Sequence, residues 1–264
     1  VLVASIALGS STYAWFASNN KVTATGMEVQ AQAEGGIEIA YTKSTETTAT
    51  YQTSATAGVT TAAALAPTST LDTSAWYHAS AQTANASKAK DDTRKTLNLN
   101  KTAMSAPSNY GSLGGDGTVS YYMVQNFNIR STTPSALAKG LTVDSVSVAG
   151  NTADMSKALR VAIKLNTKVL IYNPISDTAS TYDVYSGYTA GAATKAGTVN
   201  CIGKDTATLL ADTATTEIPA KGTTNNGGVD VQVYVYFEGE DTNLYTDAFK
   251  AEGLKVTVNF SATV

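Results

Sequence analysis

The chain has 264 residues, 43% hydrophobic and only 15% charged, with 18 Lys and Arg against 21 Asp and Glu for a net charge of −3. That length suits one large β domain or one domain with insertions, and the charge balance lacks the basic excess that holds a phosphate backbone, so nucleic acid is not a predicted partner. A single histidine, His78, and a single cysteine, Cys201, leave no disulfide framework, no zinc finger and no His-based metal cage.

The first stretch, VLVASIALGSSTYAWF, is apolar and uncharged. Its apolar part, Val1 to Leu8, is far short of the ~20 residues that span a bilayer, so no stable membrane span is predicted in the mature form. Gly9 and the Ser10–Thr12 run are poor helix material. Alternation fits better: Leu2, Ala4, Ile6 and Leu8 share one face, with Val1, Val3, Ser5 and Ala7 on the other. As a strand, 16 residues reach about 50 Å at roughly 3.3 Å per residue, enough to leave one domain and enter another. The expectation is a donor strand for a second subunit, with Val1 as the mature start. A strand or helix packed in its own domain, and a signal-peptide remnant, are the alternatives. Residues 1–20 are therefore divided off as donor strand and linker, and 21–264 as one domain.

Lys21 to Ala33 alternates loosely and IEIAY, Ile37 to Tyr41, continues it; Glu34–Gly35–Gly36 between them predicts a hairpin turn. Thr42 to Ala75 carries twelve threonines and little apolar period. It reads as the start of a Thr/Ala-rich excursion of loops and short strands, over about 42–117. His78 lies in this irregular part as a surface or packing residue, and the glycine-rich GSLGGDGT, Gly111 to Thr118, reads as a turn.

Regular strands resume at Thr118. In TVSYYMVQNFNIR, Val119, Tyr121, Met123, Gln125, Phe127 and Ile129 are predicted on one face. Thr133–Pro134 to Gly140 predicts a short helix. LTVDSVSV changes phase at Asp144–Ser145, the mark of a bulge. A further helical turn capped by Thr152 or Asp154 leads into LRVAIKLN, where Leu159, Val161, Ile163 and Leu165 alternate. KVLIYNP, TYDVYSGY and TVNCIG are shorter strands, the last burying Cys201. At the C-terminal end Val229, Val231, Val233, Val235 and Phe237 point one way and Asp230, Gln232, Tyr234, Tyr236 and Glu238 the other. Leu254, Val256, Val258, Phe260, Ala262 and Val264 repeat the pattern, and a short helix is expected around Tyr245 to Lys250 between them. Alternation with one polar face predicts antiparallel sheets, and two of them face to face a β-sandwich.

Few residues carry chemistry. No H-E-x-x-H or G-x-S-x-G element is present, so neither an enzyme nor a cofactor is predicted. Glu238, Glu240 and Asp241, with Asn243, are weak calcium candidates by density of oxygen ligands, and would equally serve as a polar turn at a strand end. No metal is therefore predicted. Tyr121, Tyr122, Tyr182, Tyr185, Tyr188, Tyr234 and Tyr236 are expected to pack against neighbours with their hydroxyls in water.

Three stretches carry a resemblance. STYAWFASNNKVTATGMEVQA, ALRVAIKL, and VDVQVYVYFEGEDTN with KVTVNFSATV occur in the order found in TasA/camelysin-like secreted proteins of Gram-positive bacteria, which the chain resembles over about half its length. The resemblance implies an all-β, jelly-roll-like sandwich with short helices in its connections, secretion to the cell surface, and a structural subunit of an extracellular filament, a pilus or biofilm matrix fibre. It implies a homopolymer built by donor-strand exchange, with Val1, Leu2, Val3, Ala4, Ile6, Leu8, Tyr13, Trp15 and Phe16 in the donor segment. TasA-like chains are cut near the aromatic element, about Ala14 here. Carrying Val1 to Tyr13 implies different processing or a longer donor strand. A monomeric glycan-binding adhesin and a camelysin-type protease are the rival functions.

Overall fold

The computed structural model describes residues 22–25, 27–41, 49–58, 63–79, 101–105, 112–115, 120–132, 138–150, 157–189, 192–212, 217–219, 228–241, 250–252 and 254–263. The strands in chain order are β1 Val22–Thr25, β2 Glu28–Glu34, β3 Ile37–Ala40, β4 Ser54–Gly58, β5 Ala63–Leu65, β6 Ser69–Thr70, β7 Ala75–Ala79, β8 Lys101–Ser105, β9 Ser112–Gly115 and β10 Ser120–Ser131. They continue with β11 Ala138–Ala149, β12 Leu159–Leu165, β13 Lys168–Tyr172, β14 Ser180–Thr189, β15 Ala192–Ile202, β16 Ala207–Thr208, β17 Glu217–Ile218, β18 Val229–Phe237, β19 Lys250–Glu252 and β20 Lys255–Thr263.

The protein is an all-β sandwich whose strands form three layers. The central sheet runs β14-β15-β13-β12-β18-β10-β5-β1-β19, with β3 and β9 also on β10. A six-stranded sheet, β16-β11-β20-β2-β4 with β17 on β11, covers one face, and the three-stranded sheet β6-β7-β8 lies against the other. Period-2 alternation sends every other residue of the central strands to each face. Met123, Phe127 and Ile129 of β10, Leu159, Val161 and Ile163 of β12, and Val231, Val233, Val235 and Phe237 of β18 meet Val29, Ala31, Val256, Val258 and Phe260 in the main core. The opposite residues, Tyr122, Val124, Ala162, Tyr234 and Tyr236, fill a second core with Trp76 of β7.

Several expectations are corrected. The polar face predicted for β18 is half-buried at Asp230 and Gln232 but fully buried at Tyr234, Tyr236 and Glu238, because the Thr/Ala-rich excursion supplies β6 and β7 as a lid there. The strands β2 and β20 keep the polar face predicted for them. Glu34–Gly35–Gly36 turns, with both glycines at positive φ (68° and 80°), but makes no hairpin: β2 pairs β20 and β4 whereas β3 pairs β10, so the turn carries the chain from one sheet to another. A Cβ on Gly35 would stand 2.3 Å from the Ala262 carbonyl oxygen, which leaves room only for glycine there. The pairing is mixed, with β2 parallel to β20, β1 to β19 and β13 to β15. The glycine-rich stretch read as a turn contains β9, which meets β10 at Gly115↔Ser120. No α-helix occurs among the described residues; the end of the helix expected over 133–140 is strand, since Ala138 and Lys139 pair with β17, and Lys250 opens β19. The turn expected before Arg160 is a 3₁₀ turn at Lys157–Ala158. The phase change at Asp144–Ser145 is a register shift between β11 and β20.

Candidate functional site

The donor residues Val1, Leu2, Val3, Ala4, Ile6, Leu8, Tyr13, Trp15 and Phe16 lie outside the described residues. What the structure does place is the edge of β10. On one side β10 pairs with β18 from Tyr122 to Ile129. On the other, the pairing among described residues is with β5 at Ser120 and then from Asn128 to Ser131 with β3; β9 also meets Ser120, and its Gly114 stands against the Tyr122 ring. Between those ends Val124 to Phe127 are buried, and no described residue stands in register with them on that side. Two polar side chains sit in this interval. Gln125 is fully buried; its Oε1 accepts the Tyr41 hydroxyl at 2.9 Å, and its Nε2 has no hydrogen-bond partner. Asn126 is 3% exposed with its Oδ1 likewise unpartnered. Tyr41, 39% exposed, leans its ring to 5.9 Å from Phe127. Unpaired polar atoms in a dry place cost about 1–3 kcal/mol each.

The three calcium candidates fall elsewhere, in the turn after β18. They do not converge. Arg160 of β12, in register with Tyr236, reaches Asp241 through Nη2 at 2.7 Å. Its Nη1 donates to the carbonyls of Lys157 and Leu159 at 2.7 and 3.0 Å. Glu238 accepts from the Ser69 hydroxyl, and from the Glu240 N–H at 3.0 Å. The Glu238 N–H donates to Ala158 at 2.7 Å and Gly239 N–H to Thr68 at 2.9 Å, so this turn locks β6, β12 and β18 together. Among the described residues no group of three acidic, His or Cys side chains is placed to hold a metal. Two shallow depressions open here. One of about 210 Å³ is lined by Arg160, Ser180, Tyr182, Glu238, Glu240 and Asp241. Its neighbour, of about 290 Å³, shares Asp241 and adds Lys157, Asn173 and Ser176.

Electrostatics at this end follow from burial. Burial works against the charge on Arg160, yet Tyr182, Asp241 and Glu238 together hold its guanidinium more firmly protonated than usual. Burial drives the Tyr182 and Tyr236 phenols well above their ordinary range, with Glu238 adding to the shift. Their hydroxyls stand 3.5 Å apart. Burial also pushes the Cys201 thiol up to about 11, against the pull of Arg160. A thiol held protonated is a weak nucleophile.

The tyrosine row is a core. Trp76 stacks on Tyr122 at 3.9 Å and 16°, meets Tyr236 edge-on at 5.0 Å and 86°, and lies 5.7 Å from Tyr234. His78, 5% exposed, packs 4.1 Å from Tyr121. The expectation of hydroxyls in water is corrected for Tyr121, Tyr122, Tyr234 and Tyr236, each at most 2% exposed; Tyr182 and Tyr185 are half-buried, and the side chain of Tyr188 lies outside the described residues. Sequence reasoning missed Arg160, whose signal was a charge among the apolar residues at the start of β12. It also missed Gln125 and Asn126, two amides in the middle of a strand of apolar and aromatic residues. Compared with protein-family models, with curated proteins and with solved structures, the chain matches none.

Proposed function

We propose that this protein is a structural subunit of an extracellular filament, a secreted homopolymer joined by donor-strand exchange at the cell surface. The observation that carries the reading is the stretch of β10 from Val124 to Phe127, buried yet with no described residue in register on the side away from β18, and holding two unpartnered amide atoms. A strand added there supplies main-chain partners along its length and gives register through alternate side chains. The chain itself carries a segment of suitable chemistry: Val1 to Leu8, uncharged, alternating and apolar. Burial of Leu2, Ile6 and Leu8 contributes roughly 1.5–3 kcal/mol apiece. Donor and acceptor are different surfaces, so repeated exchange grows an open fibre and no closed dimer.

Electron micrographs of the purified full chain, of a form lacking residues 1–12, and of two point variants test this. Fibres are expected from the full chain, and a folded, soluble monomer from the deletion. Ile6→Asp, which would put an unpaired carboxylate in a dry slot, should block elongation. Ser5→Asp, on the alternate face, should be milder. Normal fibres from the deletion overturn strand exchange, and equal assembly by both point variants overturns the alternation.

A further inference from the structure

The first and last strands of the described fold lie side by side. Thr23 to Thr25 of β1 pair in parallel with Lys250 to Glu252 of β19, and Glu28 to Glu34 of β2 pair in parallel with Lys255 to Ser261 of β20. The offset between partners is the same in both stretches. The Glu28 N–H donates to the Leu254 carbonyl at 3.0 Å at the junction. The two pairs thus keep one register on either side of the step from the central sheet to the six-stranded sheet. The β2–β20 part of this parallel ladder is flanked on both sides, and β1 has a second partner. β2 is also paired with β4 from Glu28 to Gln32, β20 with β11 along most of its length, and β1 with β5.

Direction matters here. Parallel strands leave their shared ladder at opposite ends when one is pulled by its N-terminus and the other by its C-terminus. Tension between the chain ends therefore acts along the strands and across the hydrogen bonds, and every bond of the ladder is loaded together. A hairpin pulled at its open end breaks one pair at a time. The ladder is also kept dry on its inner face, where Val29, Ala31, Val256, Val258 and Phe260 are at most 1% exposed, so water does not replace a strained bond. Its outer face opens with Glu28 beside Lys255, an opposite-charge pair in register.

We infer that the β1–β2/β19–β20 ladder is a shear clamp and that this domain is built to bear tension applied through its chain ends. The inference rests on register alone and stands whether or not the protein polymerises. If it does, load from a neighbour holding the N-terminal segment enters at β1 and β2, the two strands that the clamp secures in both sheets.

Single-molecule pulling on the full chain decides it. Handles at Val1 and Val264 load the clamp in shear. Handles on engineered Thr181→Cys and Asn200→Cys, exposed registered partners near the open end of the β14–β15 hairpin, load that hairpin in unzipping. At one pulling speed, the first rupture between the termini should need at least about twice the force of the hairpin, because forced unfolding reads the barrier along the loaded direction. Gln30→Pro, which removes a ladder donor in β2, should lower the terminal force and leave the hairpin force unchanged. Equal or lower force between the termini in the parent chain overturns the inference, as does stepwise peeling of the terminal strands at the hairpin force. The comparison of two directions in the parent chain stands even where Gln30→Pro does not fold.

Discussion

Replacing Trp76 by alanine tests whether the β6-β7-β8 layer is an integral part of the fold. Trp76 is fully buried and touches three tyrosines of the central sheet: Tyr122 stacked at 3.9 Å, Tyr236 edge-on at 5.0 Å and Tyr234 at 5.7 Å. Truncating a buried Trp or Phe costs about 3–5 kcal/mol through lost transfer free energy and the cavity left behind. Aromatic pairs in these geometries add ~0.5–1.5 kcal/mol apiece beyond area. The truncation figure already contains such pair contributions, so the expected cost is the middle of the first range, about 4 kcal/mol. At ~2–4 °C per kcal/mol for a domain of this size, the melting temperature should fall by about 8–16 °C. Urea unfolding followed by circular dichroism gives the free energy from the midpoint at constant slope. The chain has two tryptophans, so a Trp15→Phe background makes Trp76 the sole indole and its blue-shifted emission a probe of the second core. A loss below about 1 kcal/mol, or emission at the wavelength of indole in water, would refute the packing of this layer on the tyrosine face.

Two further outcomes follow from burial. Tyr122, Tyr172, Tyr182, Tyr234 and Tyr236 all have phenols raised by burial. The folded state therefore keeps protons that the unfolded chain releases near pH 10, so stability is full below that pH and falls as the pH climbs above it. Absorbance at 295 nm should show these phenols ionising together with unfolding, and smooth titration of all fourteen tyrosines in a folded chain would contradict it. Cys201, 1% exposed and pushed up to about 11, should resist Ellman's reagent at pH 8 in the native protein and react at once in urea. Rapid native labelling would show that β15 opens.

Alternation was legible in the residues, and it placed the main core correctly. The valines of β18, the Leu159–Leu165 series of β12 and the Val256–Phe260 series of β20 all face inward as their period requires. The all-β class followed from the same pattern. The register shift at Asp144–Ser145 was legible as well, because a bulge must shift the phase of the side chains. What alternation does not contain is the fate of the second face. Tyr234 and Tyr236 alternate with valines in the same way whether water or another sheet covers them, and only the return of β7 from over a hundred residues upstream in sequence makes them a core. Arg160 is similar. Its place in a strand could be read locally, but its partner Asp241 is brought to it by pairing of β12 with β18. The turn at Gly35–Gly36 shows the limit most plainly. Two glycines at positive φ announce a reversal, yet whether the following strand pairs with the one before depends on competing edges elsewhere. Here β20 takes β2 and β10 takes β3. Local chemistry determined which residues are strand and which side of each strand is apolar. Long-range pairing decided which strands are neighbours and whether the other side stays wet, since hydrogen bonds between strands and burial against a second layer join residues far apart in the chain.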